Sequence, residues 1–150
     1  MTPAPAHPVT IREARGEDSA TLATLIAQLD YAVTASEVAE RLGLMAADGR
    51  TVLVAEFASE VVGCLSTSVM RVLHRPAPVG RISMMVIDEA VRGRGIGAAL
   101  VRAAEEALRA RGCYMIEVTS HVRRADAHRF YERIGYERTS VRLARELDAG

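Results

Sequence analysis

This chain predicts an α/β fold, a mixed sheet covered by helices. Three observations carry the prediction. Apolar segments of strand length alternate with amphipathic segments of helix length. Hairpin-like spacing joins some of the strands. Its 150 residues suit one domain with one core.

The elements follow in order. Met1 to Pro8 holds three prolines and reads as a disordered leader, with a single domain expected over 9–150. Val9 to Ala14 alternates as a first strand. Arg15-Gly-Glu-Asp18 turns into a helix with Leu22, Leu25, Ile26 and Leu29 on one face. Thr34-Ala-Ser-Glu37 has capping-box form and starts a second helix, with Val38, Leu42 and Met45 inward. Thr51–Phe57 and Val61–Met70 are apolar strands joined by a short hairpin connection. A Pro-containing loop, Arg71 to Gly80, leads to a fourth strand at Arg81–Ile87. Gly95 to Arg111 is the clearest helix: Ile96, Ala99, Leu100, Ala103, Ala107 and Leu108 form its stripe, and Gly112 is its C′ residue. Tyr114–Thr119 is a fifth strand, about Arg124 to Ile134 a last helix, and Val141–Leu147 a closing strand.

Composition narrows the function classes. Basic and acidic residues balance at 19 each, so no net field draws the chain to nucleic acid or an anionic membrane. Cys64 and Cys113 lack metal-ligand spacing and read as core residues of a protein in a reducing compartment. The four histidines are too scattered for a metal site. No apolar run reaches membrane-spanning length and no signal-peptide pattern opens the chain, so a cytoplasmic location is expected.

Chemistry concentrates in Arg92-Gly93-Arg94-Gly95-Ile96-Gly97, between an apolar strand and an amphipathic helix. Glycines let successive backbone N–H groups converge on one point, and the helix start adds unpaired N–H groups and the positive dipole end. With Arg92 and Arg94 as counter-charge, this is a pyrophosphate site. The bland alternative is a tight turn, which three glycines and two arginines at a helix start disfavour. No Lys-Ser or Lys-Thr follows, which excludes a P-loop. Gly93 to Ala98 formally fits G-x-G-x-x-A, with Glu117 where a ribose-binding acid would lie. That dinucleotide fingerprint normally opens a first βαβ unit, whereas four strands precede it here.

At these residues the sequence resembles the GNAT superfamily of acetyltransferases over nearly its whole length. Arg92, Gly95 and Gly97 match the Gln/Arg-x-x-Gly-x-Gly/Ala signature that follows the family's fourth strand. The start Ile11-Arg-Glu-Ala14, Val54-Ala-Glu56 and Val61-Val-Gly63 also resemble it. So does Asp126-Ala-His-Arg-Phe-Tyr-Glu-Arg-Ile-Gly-Tyr136, with Tyr136 in place of the commoner Phe and Arg124 where many relatives have Asn. That last block is most similar to a branch that includes aminoalkylphosphonate N-acetyltransferases.

The resemblance implies the acyl-CoA N-acyltransferase fold, a mostly antiparallel sheet of six or seven strands with about four helices. It implies that Arg92, Gly93, Arg94, Gly95, Ile96, Gly97 and Ala98 hold the diphosphate of acetyl-CoA. It also implies that Val86 and Ile87 pair with the pantetheine arm, in a gap between Ile87 and Val118. Tyr131 matches the family tyrosine that serves as general acid; without the family it would read as a core residue. A backbone N–H near Val86 would polarise the thioester carbonyl. No carboxylate lies on the fourth strand to act as base, which leaves relay through Ser83, His74 or His121, or entry of a neutral amine. The expected acceptor is a small-molecule primary amine. Asp30 and Tyr31 lie in one acceptor-selecting region; Arg71, His74 and Arg75 in the other would suit a phosphonate or carboxylate. A protein N-acetyltransferase and a non-catalytic acetyl-CoA-binding module remain the alternatives. Many relatives are homodimers, for which the C-terminal strand would be a contact.

Overall fold

A computed structural model describes residues 8–148, so the expected leader lies outside them except for Pro8. It forms two compact units, one up to Thr119 and one from Ser120.

The first unit is built on a five-stranded sheet ordered β1-β2-β3-β4-β5. Strands β1 (Thr10–Glu13), β2 (Thr51–Phe57), β3 (Glu60–Met70) and β4 (Val79–Ile87) pair antiparallel in sequence order. Strand β5 (Met115–Val118) joins β4 in parallel. Ala58 and Ser59 take φ values of 52° and 66°, so a two-residue turn with both central residues left-handed matches the twist of the β2–β3 hairpin.

Helices α1 (Ser19–Ala27) and α2 (Ala35–Ala47) cover one face of the sheet. Leu22 and Leu25 of α1 and Val38 of α2 meet Val54, Cys64 and Val86 in one buried cluster. The capping box at Thr34 forms as expected: Glu37 N–H donates to Thr34 Oγ1 at 3.1 Å, and Thr34 N–H to Glu37 Oε1 at 3.0 Å. Helix α3 (Ile96–Ala110) covers the opposite face, where Gly63 and Gly80 admit Leu100 and Leu108. A Cβ on Gly80 would lie 2.7 Å from Leu108 Cδ1, so glycine there sets how closely α3 approaches β4.

At the β1 edge Arg12 ties three elements together. Its guanidinium donates to both Asp18 oxygens, at 2.9 and 3.0 Å, and to Glu56 Oε1 at 2.8 Å. The hydrogen bonds from Arg12, opposed by burial, hold the Asp18 carboxyl below the usual carboxylate range.

The second unit contains α4 (Ala125–Arg133), which Gly135 ends at φ 105°. Here the sequence expectation is corrected. Val141–Leu147 is not a strand, and the described residues contain five strands rather than six or seven. Val141, Leu143 and Leu147 alternate but are 83%, 91% and 86% exposed. Alternation supplies the side-chain pattern of a strand, yet a strand exists only where a second backbone completes its ladder.

Candidate active site

The candidate site lies where β4 outlasts β5. Their pairing runs from Val79↔Met115 to Ile82↔Val118, and Thr119 N–H donates its last bond to the Ile82 carbonyl at 3.2 Å. Strand β4 continues to Ile87 beside β3 alone. In an antiparallel ladder alternate residues turn their N–H and C=O groups away from the partner. The stretch from Met84 to Ile87 therefore presents backbone groups toward the side that β5 has left. The resemblance implies a gap between Ile87 and Val118; Val118 is still paired with Ile82, and β4 has no β5 partner beyond that pair.

A β-bulge marks the same point. Ser66 pairs with Met84 and Thr67 with Ile82, so Ser83 is the extra residue. Its hydroxyl lies 2.8 Å from Ser66 Oγ. The bulge resets the side-chain alternation. Gly80 faces α3, whereas Met84 and Val86 pack with the α1–α2 cluster. Val86 is buried and paired with Cys64; Ile87 is half-buried and paired with Gly63.

Beyond Ile87 a 3₁₀ turn, Glu89–Val91, leads into the glycine loop. Gly93 and Gly95 adopt φ of 80° and 78°, where a side chain would be strained; Gly95 is also the N-cap of α3. The loop thus delivers the amides of Ile96, Gly97 and Ala98, which have no acceptor within the helix. Arg92 Nε donates to the Ile87 carbonyl at 3.2 Å, and the Arg94 guanidinium stands 5.7 Å from the Phe57 ring centre. Both arginines are exposed at the loop. The structure brings Val86, Ile87 and Arg92 through Ala98 together at the open end of β4.

Tyr131 belongs to α4 in the second unit. It is 8% exposed, with its ring edge-on to Phe130 and Tyr136 at 5.1 and 5.8 Å. Burial pushes its hydroxyl up to about 12, so it stays protonated at neutral pH. Cys64 is likewise pushed up to about 12 by burial, which leaves no thiolate for acyl capture.

The other sequence candidates are more dispersed. Tyr31 is exposed, and Asp30 follows the end of α1 at φ 66°. Arg71, His74 and Arg75 lie in the loop before β4, where Arg75 Nη1 donates to Tyr114 Oη at 3.3 Å. His121 Nδ1 accepts from Arg123 N–H at 3.1 Å within the second unit. Glu117 is engaged by Arg81 at 3.1 Å across the β4–β5 pair. With four antiparallel strands in succession, the sheet is not doubly wound and the dinucleotide reading falls. Among the described residues no group of three His, Cys, Asp or Glu side chains could hold a metal ion. Nor is any described helix long and apolar enough to cross a membrane.

Two features had no sequence signal. Gln28, at the end of α1, clasps the start of the loop: its Nε2 donates to Asp88 Oδ1 at 3.4 Å, and its Oε1 accepts from Glu89 N–H at 3.1 Å. A cavity of about 150 Å³ lies between α1, α2 and the sheet.

Comparison with known proteins decides the family. Residues 19–136 match the acetyltransferase (GNAT) family model. The chain belongs to the GNAT family. It is 38% identical over 88 residues to an aminoalkylphosphonate N-acetyltransferase from Salmonella typhimurium, covering 59% of this chain and 57% of that one. Glucosamine 6-phosphate N-acetyltransferase 1 from Oryza sativa subsp. japonica is 32% identical over 107 residues, covering 69% of this chain and 62% of its own. The chain therefore matches under two thirds of the length of either relative. Among solved structures, a transcriptional regulator from Bacillus halodurans C-125 superposes with a TM-score of 0.84 at 28% identity, covering 93% of this chain and all of the other. This GNAT chain thus has the mixed, mostly antiparallel α/β fold that its sequence predicts, with four helices.

Proposed function

We propose that this GNAT chain transfers an acetyl group from acetyl-CoA directly to the primary amine of a small molecule. The observation that carries the proposal is the open end of β4, leading through one 3₁₀ turn into a glycine loop and the α3 N-terminus. A long ligand with a diphosphate at one end and amides along its arm fits that succession. Amides of Gly93 through Ala98 would take the diphosphate, with Arg92 and Arg94 as counter-charge. At Val86 and Ile87 the pantetheine arm would pair with the backbone groups turned from β3, the Ile87 N–H among them; Val86 faces Cys64, and Arg92 already holds the Ile87 carbonyl.

The amine nitrogen forms a bond to the acetyl carbon while the carbon–sulfur bond breaks. A backbone N–H near Val86 stabilises the charge that develops on the carbonyl oxygen. Tyr131 matches the family's general acid and in that role would protonate the departing thiolate, the proton lost by the nitrogen restoring it. Its phenol carries the proton at pH 7, though burial makes it a weaker acid than a free tyrosine. No base is needed on β4 if the amine arrives neutral.

The two curated relatives take acceptors whose names include a phosphonate or a phosphate. Here the basic residues suited to such a group, Arg71, His74 and Arg75, precede β4 at the end remote from the loop. A reducing, cytoplasmic location is supported by the free Cys64 and Cys113. A homodimer joined through Val141–Leu147 is supported by the exposed alternation there.

Calorimetric titration with acetyl-CoA, with NAD as comparison, tests the site; binding of acetyl-CoA alone is expected, and silence would remove the proposal. Thiol release with an amine present separates an enzyme from a mere acetyl-CoA-binding module. Replacing Tyr131 with Phe should lower kcat by about 100-fold while leaving the Kd for acetyl-CoA unchanged; undiminished turnover would end the role given to Tyr131.

A further inference from the structure

We propose that the cavity beneath α1 and α2 receives a compact apolar group of the acceptor amine. The acceptor would then be an arylalkyl or branched alkyl amine rather than an amine beside a phosphate or phosphonate. This rests on the acetyl-transfer reading of the site.

Position comes first. Ile26 of α1 and Val38 and Leu42 of α2 roof the cavity; Cys64, Ser66 and Met84 floor it. Met84 and Val86 lie on the same face of β4, both against the α1–α2 cluster. Residues two apart on a strand are separated by about 7 Å. In 2-phenylethylamine the nitrogen and the far edge of the ring are separated by about this distance, so an amine held at Val86 would place its ring beside Met84.

Chemistry comes second. The lining is almost wholly apolar. Ser66 is buried, but its hydroxyl is already satisfied by Ser83 at 2.8 Å, so it asks nothing of a ligand. Among the described residues Arg41 is the one cation in the lining, and Glu37 sits 3.5 Å from it, one helical turn away. A dianion placed here would lose its hydration and find one exposed, already paired arginine. The other basic group, Arg71 to Arg75, precedes Val79; Val79 and Val86 are about 23 Å apart along an extended strand.

Size comes third. The space of about 150 Å³ is a half-open recess rather than a sealed void, with the exposed Arg41 in its lining. A volume of about this size accommodates a benzene ring, and the open side gives an acceptor a way in. An isobutyl group also fits. The contacts missing from the cavity wall would be restored by such a group.

The test compares 2-phenylethylamine and 3-methylbutylamine with 2-aminoethylphosphonate and ethanolamine, by thiol release from acetyl-CoA. The apolar amines should exceed both others at least tenfold in kcat/KM. Leu42→Phe, which fills the cavity from α2, should abolish that preference while ethanolamine turnover changes less than twofold. Val38→Leu serves in its place if the first variant does not fold. Preference for 2-aminoethylphosphonate, or an equal loss with every amine in the filled variant, would overturn the proposal. If no amine releases thiol although acetyl-CoA binds, the catalytic reading fails separately. The cavity is then tested by the melting temperature with 2-phenylethylamine. A rise for the wild type that Leu42→Phe lacks supports it, and no rise overturns it.

Discussion

The two halves of β4 are made from similar residues and do different work. From Val79 to Ile82 the strand has a neighbour on each edge, β3 and β5, and Gly80 lies tight against Leu108 of α3. From Met84 to Ile87 it keeps β3 but loses β5. The change falls at the Ser83 bulge, which also turns Met84 and Val86 to the opposite face of the sheet. The paired half spends its backbone groups on the fold. The open half has no β5 partner for its outward backbone groups, and these are the ones proposed to meet a ligand. One inserted residue separates the two roles, because it ends the β5 register and re-aims the side chains together.

Three substitutions would break or sharpen this contrast. The largest effect is expected far from the open half, at the β1 edge. Asp18→Asn removes the charge that Arg12 grips from two directions, and should cost about 3 kcal/mol of stability with acetyl-CoA affinity unchanged. The pH dependence follows from the depressed Asp18 carboxyl. Its folded pKa lies below its unfolded value of about 4, so its contribution is fully present above that value. It is lost as pH falls through the folded pKa. Urea denaturation below pH 4 should therefore show a shallower loss of stability in Asp18→Asn than in the wild type. Parallel acid limbs would assign the acid sensitivity to other groups.

Next is the paired half. Gly80→Ala places a Cβ within 2.7 to 3.1 Å of three Leu108 atoms, one of them the branching Cγ. It should cost about 2 kcal/mol in denaturant unfolding, again without a change in acetyl-CoA Kd. The smallest loss of stability is expected opposite the open half. Gly63→Ala meets chiefly the Cδ1 end of Ile87, at 2.8 Å, which can swing aside for about 1 kcal/mol or less. That displacement falls on a residue proposed to pair with the cofactor arm. Gly63→Ala should therefore weaken acetyl-CoA binding more than Gly80→Ala does. If calorimetry ranks the two variants the other way, the division of β4 into a structural and a ligand-binding half is wrong.

Local signals were legible wherever chemistry acts within a few residues. The Thr34–Glu37 box, the αL glycines at Gly95 and Gly112, and the apolar stripe of α3 are each decided by neighbours in the chain. The glycine-rich loop was legible for the same reason, since positive φ at Gly93 and Gly95 is a property of the residues themselves. Val141–Leu147 failed as a strand because its alternation is local while a ladder partner is not. The Gln28 clasp spans 60 residues to Asp88 and carries no local signature.

The amino-acid order by itself therefore determined the alternation of elements, the caps, the glycine loop proposed to receive a diphosphate, and the family to which the chain belongs. Only the tertiary structure decided where β5 leaves β4, which face Met84 and Val86 present, and that an apolar cavity lies beside them. Backbone geometry and side-chain periodicity are set over a few residues. A register shift or an unfilled volume depends on how distant segments meet.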